Sequence, residues 1–318
     1  MIQVALVGIG AALAAALLFL SPIGGTALAF PLFALCGLPV AIAGLAWGSL
    51  SGAIAAVTAA AVIFAFLSYP AAVVHFCLFG APLAWVAHLA GLSRPVDGSP
   101  AGTVEWYPLG RLLGQVALAA SIGLVLVGVL IGFDPDALTR EMTEALVEWM
   151  ASAPGAAPPP TAAELEPFAR FNVAALPYSV SALLVVILVF NLWLASRIAG
   201  TSGRLARPRE RLWTAVLPNE VIVVFFVALL AALAAPGAIS YSAGVATGAA
   251  GAAIALAGLA VLHALTLGTS IRTLILVTTY VILILFGFPI VLLFLLGLAE
   301  SAFQLRARRF RGAPPPLT

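Results

Sequence analysis

Runs of apolar residues close to the ~20 needed to cross a hydrocarbon core recur along the whole of this 318-residue chain. The polar intervals between them are short, so no sizeable soluble domain fits. A segment in lipid must satisfy its backbone hydrogen bonds internally, which for such runs means helix. The expected fold class is all-α: a polytopic transmembrane helical bundle of about 8–10 membrane segments, with one amphipathic interfacial helix. Composition agrees, at 63% hydrophobic and 8% charged with a mean hydropathy of +1.17. Soluble globular proteins carry about a quarter charged residues.

The side on which Arg collects orients such a bundle. The interval from Arg197 to Arg211 holds Arg197, Arg204, Arg207, Arg209 and Arg211 against Glu210 alone, and Arg306, Arg308, Arg309 and Arg311 form a second cluster. Short Arg-rich loops stay on the cytoplasmic side during insertion, so these residues are the topology determinants. The stretch from Asp134 to Arg170 has the opposite character, with Asp134, Asp136, Glu141, Glu144, Glu148, Glu164 and Glu166 against Arg140 and Arg170. That balance suits an outer-side loop. All fourteen basic residues are Arg, which reads as genomic base composition, and a net charge of +2 held in membrane-flanking clusters points to no nucleic-acid partner.

The first apolar helix covers 2–20. Ala27-Leu28-Ala29 imitates a signal-peptidase site, but nothing basic precedes Arg94, so an uncleaved helix is expected. Apolar segments follow at 28–46, 48–67, 70–91 and 109–133, with a polar interval from Arg94 to Tyr107. Asp134-Pro135-Asp136 has the chemistry of a helix start: an Asp N-cap, Pro at the first position and an acid favoured by the dipole. Leu138, Met142, Leu146 and Trp149 then share one face of an amphipathic helix, expected at the membrane surface or over the bundle mouth. Ala153 to Pro160 is a Pro-rich linker. Thr161 and Glu164 have capping-box spacing, and Pro167 is expected to limit the helix they start.

Spans are expected at 173–196, 218–235 and 241–263. The stretch from 273 to 305 would be roughly 50 Å long as one helix, against a core of roughly 30 Å. Two short passes turning near Gly287-Phe288-Pro289 keep the basic tail cytoplasmic; one kinked, tilted or partly re-entrant helix is the alternative. The chain thus divides into a helical half at 1–133, an acidic insertion at 134–171, a second half at 172–305 and a basic tail at 306–318.

Few residues carry chemistry. Gly44, Gly48 and Gly52 recur every fourth residue, as do Ala11 with Ala15 and Ala12 with Ala16, which clears a face either for packing within the chain or for docking a partner. Polar groups at membrane depth are expensive and mark sites. Asn191, Asn219 and Glu220 are the ligand-binding candidates; the alternatives are helix-to-helix bonding for Asn191 and helix capping for Glu220. Glu300 can pair with Arg272 or Arg306. His75, His88 and His263 have no metal-ligand spacing, and Cys36 and Cys77 sit in apolar segments, so neither a metal site nor a disulfide is expected. No phosphate-binding Gly loop, nucleophile elbow or zinc motif occurs, so no cofactor and no enzymatic activity are expected.

One family matches the order of features: an Ala-rich first helix, the Pro31 to Gly52 segment with Gly44-x-x-x-Gly48, Trp213-x-x-x-Leu217-Pro218, the Gly-rich 244–258 helix, and Leu296-Gly297-Leu298-Ala299-Glu300 before Arg306. In these the chain resembles the bacterial YybS-like predicted membrane proteins, a family of unknown function. Over 1–133 it is distantly similar to the substrate-binding S-components of energy-coupling-factor vitamin transporters. That resemblance implies that Ala11, Ala12, Ala15 and Ala16 dock a coupling subunit; it supplies no ligand residues that match one to one, and this chain has more spans and the acidic insertion. The expectation is a multi-pass protein of the bacterial inner (plasma) membrane with both termini cytoplasmic. It would bind or help transport a small molecule; the alternative is a scaffold that recruits partners without a substrate. Its expected partners are the lipid bilayer, a small-molecule ligand, and a membrane protein or second copy in a homo-oligomer.

Overall fold

A computed structural model describes residues 1–97, 103–152, 160–208 and 211–310. The protein is an all-α polytopic bundle, and among the described residues seven helical segments are long and apolar enough to cross a membrane. In chain order the first are α1 (Ile2–Phe19), the pair α2 (Ala29–Ala34) and α3 (Leu38–Trp47), and α4 (Ser49–Phe66). Next come α5 (Tyr69–His75) and α6 (Ala81–Ala90), joined by one π-helical turn at Phe76–Gly80, and then α7 (Leu109–Ile131). The polar interval before α7 folds as an antiparallel hairpin of β1 (Ser93–Pro95) and β2 (Val104–Trp106).

The expected Gly stripe at 44, 48 and 52 lies on two helices, and it serves two purposes. Gly48 ends α3 and starts α4 at φ +92, with nothing within 4 Å of the place where a Cβ would stand. It is Gly for its backbone conformation. The turn folds Gly44 onto Gly52, where a Cβ on Gly52 would lie 3.0 Å from the Gly44 Cα, so these two do clear a close helix approach. Ala12, Ala15 and Ala16 are buried and Ala11 half-buried, packed with Val40, Ala43, Ala55 and Ala59 of α3 and α4. This chain's own helices cover that alanine face.

Helix α8 (Pro135–Ala151) starts as expected, with the Asp134 carboxylate accepting from the amides of Asp136 and Ala137. Its buried side chains, however, are Thr139 and Thr143, packed toward α9; Leu138, Met142 and Leu146 are half-buried and Trp149 is 71% exposed. The Pro-rich linker falls at 153–159, outside the described residues, apart from Pro160. Glu164 closes the next helix start by accepting from the Thr161 amide at 2.7 Å and its hydroxyl at 3.0 Å.

Helix α9 (Ala162–Thr201) then runs unbroken for 40 residues, through Pro167 and Pro177. Pro167 does not stop it. One missing amide near the start of a long, packed helix is outweighed by the bonds and contacts that follow. At Pro177 the Ser181 hydroxyl donates to the proline carbonyl at 2.7 Å. The helix is roughly 60 Å long, about twice a hydrocarbon core, and so holds the acidic segment and the Arg segment at opposite ends of the molecule.

The second half adds α10 (Asn219–Ala234), α11 (Gly237–Leu265), α12 (Arg272–Phe286), α13 (Pro289–Phe303) and α14 (Leu305–Arg309). Arg272 lies over the Trp213 ring, 5.8 Å from its centroid, while Arg306 donates to the Trp213 carbonyl at 2.9 Å. Both ends of α12–α13 therefore return to the Arg end as a hairpin, turning at Gly287 with φ +68. Each arm, 15 residues and roughly 22 Å, is shorter than a 30 Å core. Only α13 packs deeply: it crosses α11 where Gly258 and Gly297 bring the two backbones together, and a Cβ on either would land on the other helix's carbonyls. A single core of Ile63, Leu83, Val116, Leu188 and Ala253 joins helices from both halves.

Candidate functional site

The ionisable groups of the bundle gather at its Arg end. Arg207 donates to the carbonyls of Ala90 and Tyr107, tying the 197–208 segment to the end of α6 and the hairpin. Arg204 lies 4.7 Å from the Trp47 ring centroid, Arg197 is 5.8 Å from Trp193, and Arg211 is 5.6 Å from Trp213. Of the alternatives for Glu300, Arg306 is its partner, at 2.8 Å with side chains only 13% and 9% exposed. Arg306 also donates to the carbonyls of Trp213 and Ala215, so this one side chain clamps the 211–217 segment onto the end of α13. Arg308 lies 5.9 Å from the Phe303 ring, and Arg309 sits beside it on α14, whereas Arg209 and Arg311 lie outside the described residues.

Between α7, α10 and α11, opening at this end, lies a cleft of about 350 Å³. Tyr107, Arg111, Gln115 and Ser121 line one wall, Pro218, Glu220, Val221 and Val224 the facing wall, and Ala246 and Ala250 the floor. Small residues make this geometry. Gly110 lets the Val216 carbonyl come against the first turn of α7, and Gly114 meets Val221, so α10 starts beside α7. Arg111 and Glu220 face the same space with opposite charge, and neither is in a salt bridge among the described residues.

Of the three expected ligand residues, Glu220 lines this cleft; Asn219, next to it at the exposed start of α10, is outside its lining. Asn191 is elsewhere. It is fully buried on α9, donating through Nδ2 to Ala34 at 2.7 Å and to Ile187 at 2.8 Å. Ala34 is the last residue of α2, and a helix end inside a bundle frees carbonyls that need donors. The bond across to α2 is the helix-to-helix alternative for this residue. Sequence reasoning passed over Gln115, whose signal is a lone amide in an apolar run, and treated Arg111 only as a membrane anchor.

A second, apolar groove of about 220 Å³ runs between α6 and α7, lined by Phe76, Cys77, Trp85, Gln115, Leu118 and Ile122 among others. Gln115 and Leu118 line both grooves, and Trp85 Nε1 donates to Gln115 Oε1 at 3.2 Å. His75 is fully buried beside Phe19 and Phe79, His88 bonds Ser49 at 2.7 Å, and His263 bonds Tyr280 at 2.9 Å. Among the described residues no cluster of His, Cys, Asp and Glu could hold a metal ion. No family model matches the chain, and no curated protein or solved structure matches it.

Proposed function

We propose that this chain is a non-enzymatic integral protein of the bacterial inner membrane that binds, or helps to move, a small molecule in the cleft between α7, α10 and α11. The observation that carries this reading is the cleft itself: about 350 Å³ in a largely apolar bundle, with Arg111 and Glu220 on facing walls. A charge at the membrane boundary has a cost that a ligand of opposite charge offsets. On this reading the Arg end is cytoplasmic, with both termini, and the ligand approaches from the cytoplasmic leaflet. The YybS-like resemblance belongs to the same proposal, while the burial of Ala12, Ala15 and Ala16 leaves no role for them in docking a coupling subunit.

Native mass spectrometry of the chain purified in mild detergent tests this, with melting followed on the same samples. A retained adduct that is lost from Glu220→Gln at unchanged melting temperature supports a binding carboxylate. An adduct kept by Glu220→Gln, with lowered melting, reduces Glu220 to a charge that complements the α10 dipole. A scaffold is the second reading. It is favoured by Trp149 standing exposed on α8, among the acids of the opposite end.

A further inference from the structure

Arg111 is the third residue of α7, where free amides and the helix dipole already make the surroundings positive, and a cation there is unfavourable unless an anion joins it. The helix has no side-chain cap; Pro108 stands at its N-cap position. Arg111 and those amides together form an anion subsite. Glu220, across the cleft and unpaired with Arg111, offers the opposite charge. Two opposite charges held apart across one cleft fit a ligand that carries both.

The surroundings say how such a ligand arrives. Leu118 and Val224, on facing walls of the cleft, are themselves exposed on the flank of the bundle, so the cleft opens sideways toward lipid. Gln115 and Leu118 carry its lining over into the apolar groove, which continues deeper along α7 through Ile122 to Leu126. The charges thus sit in the first turns of α7 and α10, at headgroup depth, and an apolar channel leads from them toward the bilayer centre.

Resting on the cleft reading above, we propose that the two grooves together hold a zwitterionic amphiphile. Its anionic group lies at Arg111 and the start of α7, its ammonium at Glu220, and one apolar chain runs along the α6–α7 groove. A diacyl lipid with a phosphoethanolamine head has these parts.

Native mass spectrometry of the full chain tests this with three probes: a phosphoethanolamine-headed diacyl lipid, a phosphoglycerol-headed lipid with the same chains, and free phosphoethanolamine. The expected result is a preference of about tenfold for the zwitterionic lipid over the anionic one. Glu220→Gln should abolish that preference while keeping the phosphoglycerol lipid bound; Arg111→Gln should weaken both. Melting of each variant separates lost binding from lost fold. Equal binding of the two lipids, unchanged in Glu220→Gln, would leave only annular lipid and overturn the proposal. Binding of free phosphoethanolamine alone, dependent on Arg111 and Glu220, would overturn the amphiphile but keep the cleft reading. Failure of all three probes, with a different retained adduct lost from Glu220→Gln, would do the same.

Discussion

Asn191 and the glycines around the first turn show how far a single residue can be read before its neighbours are known. A buried amide announces that a bond is needed. That its partner is the Ala34 carbonyl depends on the break between α2 and α3, which nothing but Gly37 and Pro39 hints at in an apolar run. Asn191→Leu should leave that carbonyl without its donor and lower stability by about 1–3 kcal/mol, read as detergent melting temperature, without changing any retained adduct. Gly48 and Gly44 look alike in sequence and fail differently on substitution. Gly48→Ala adds no contact, yet the position at φ +92 is costly for any L side chain, so a loss of about 1–3 kcal/mol is expected. Gly44→Leu overpacks against Ala87 and Gly52, with a loss of similar size. A neutral Gly48→Ala would contradict the backbone account.

At the scale of elements, the existence and order of the helices are legible because apolar length and charge spacing decide them. The helix starts at Asp134 and Thr161 are legible for the same local reason. Less legible is what tertiary packing decides. Pro167 reads as a limit in isolation, but α9 continues because α8 and α11 hold it on both sides. The face of α8 that is buried follows Thr139 and Thr143, since packing against α9 outweighs the apolar periodicity through Trp149. The α12–α13 hairpin was half legible: Gly287 and Pro289 mark its turn, while the crossing that anchors it needs Gly258 and Gly297 to be seen face to face. Gly297→Leu should therefore release α13 from α11. The expected outcome is faster proteolysis within 272–303 and a lower melting temperature, whereas Gly287, at a turn open to its surroundings, should govern hairpin geometry without that contact.

Across the whole molecule, charge is sorted end to end. Arg94, Arg111, Arg197, Arg204, Arg207, Arg211, Arg272, Arg306, Arg308 and Arg309 gather at one end, joined by the bonds of Arg207 and Arg306 and by the Trp47 and Trp213 rings. The start of α1 lies there too, since Ser51 donates to the Val4 carbonyl at 3.1 Å just past the α3–α4 turn. The carboxylates of 134–166 stand at the other end of α9, where Arg170 bonds Glu166 at 2.7 Å. This sorting was readable in the sequence because loop charge directs insertion. The cleft was not, because it forms between three helices distant along the chain and only Glu220 among its polar residues stood out. The most direct test of the architecture places single cysteines by Ser152→Cys and Ser202→Cys in a Cys36→Ala/Cys77→Ala background and treats intact cells with a membrane-impermeant thiol reagent. The account predicts that Ser152→Cys labels at once and Ser202→Cys only after permeabilisation; labelling of both in intact cells would contradict it.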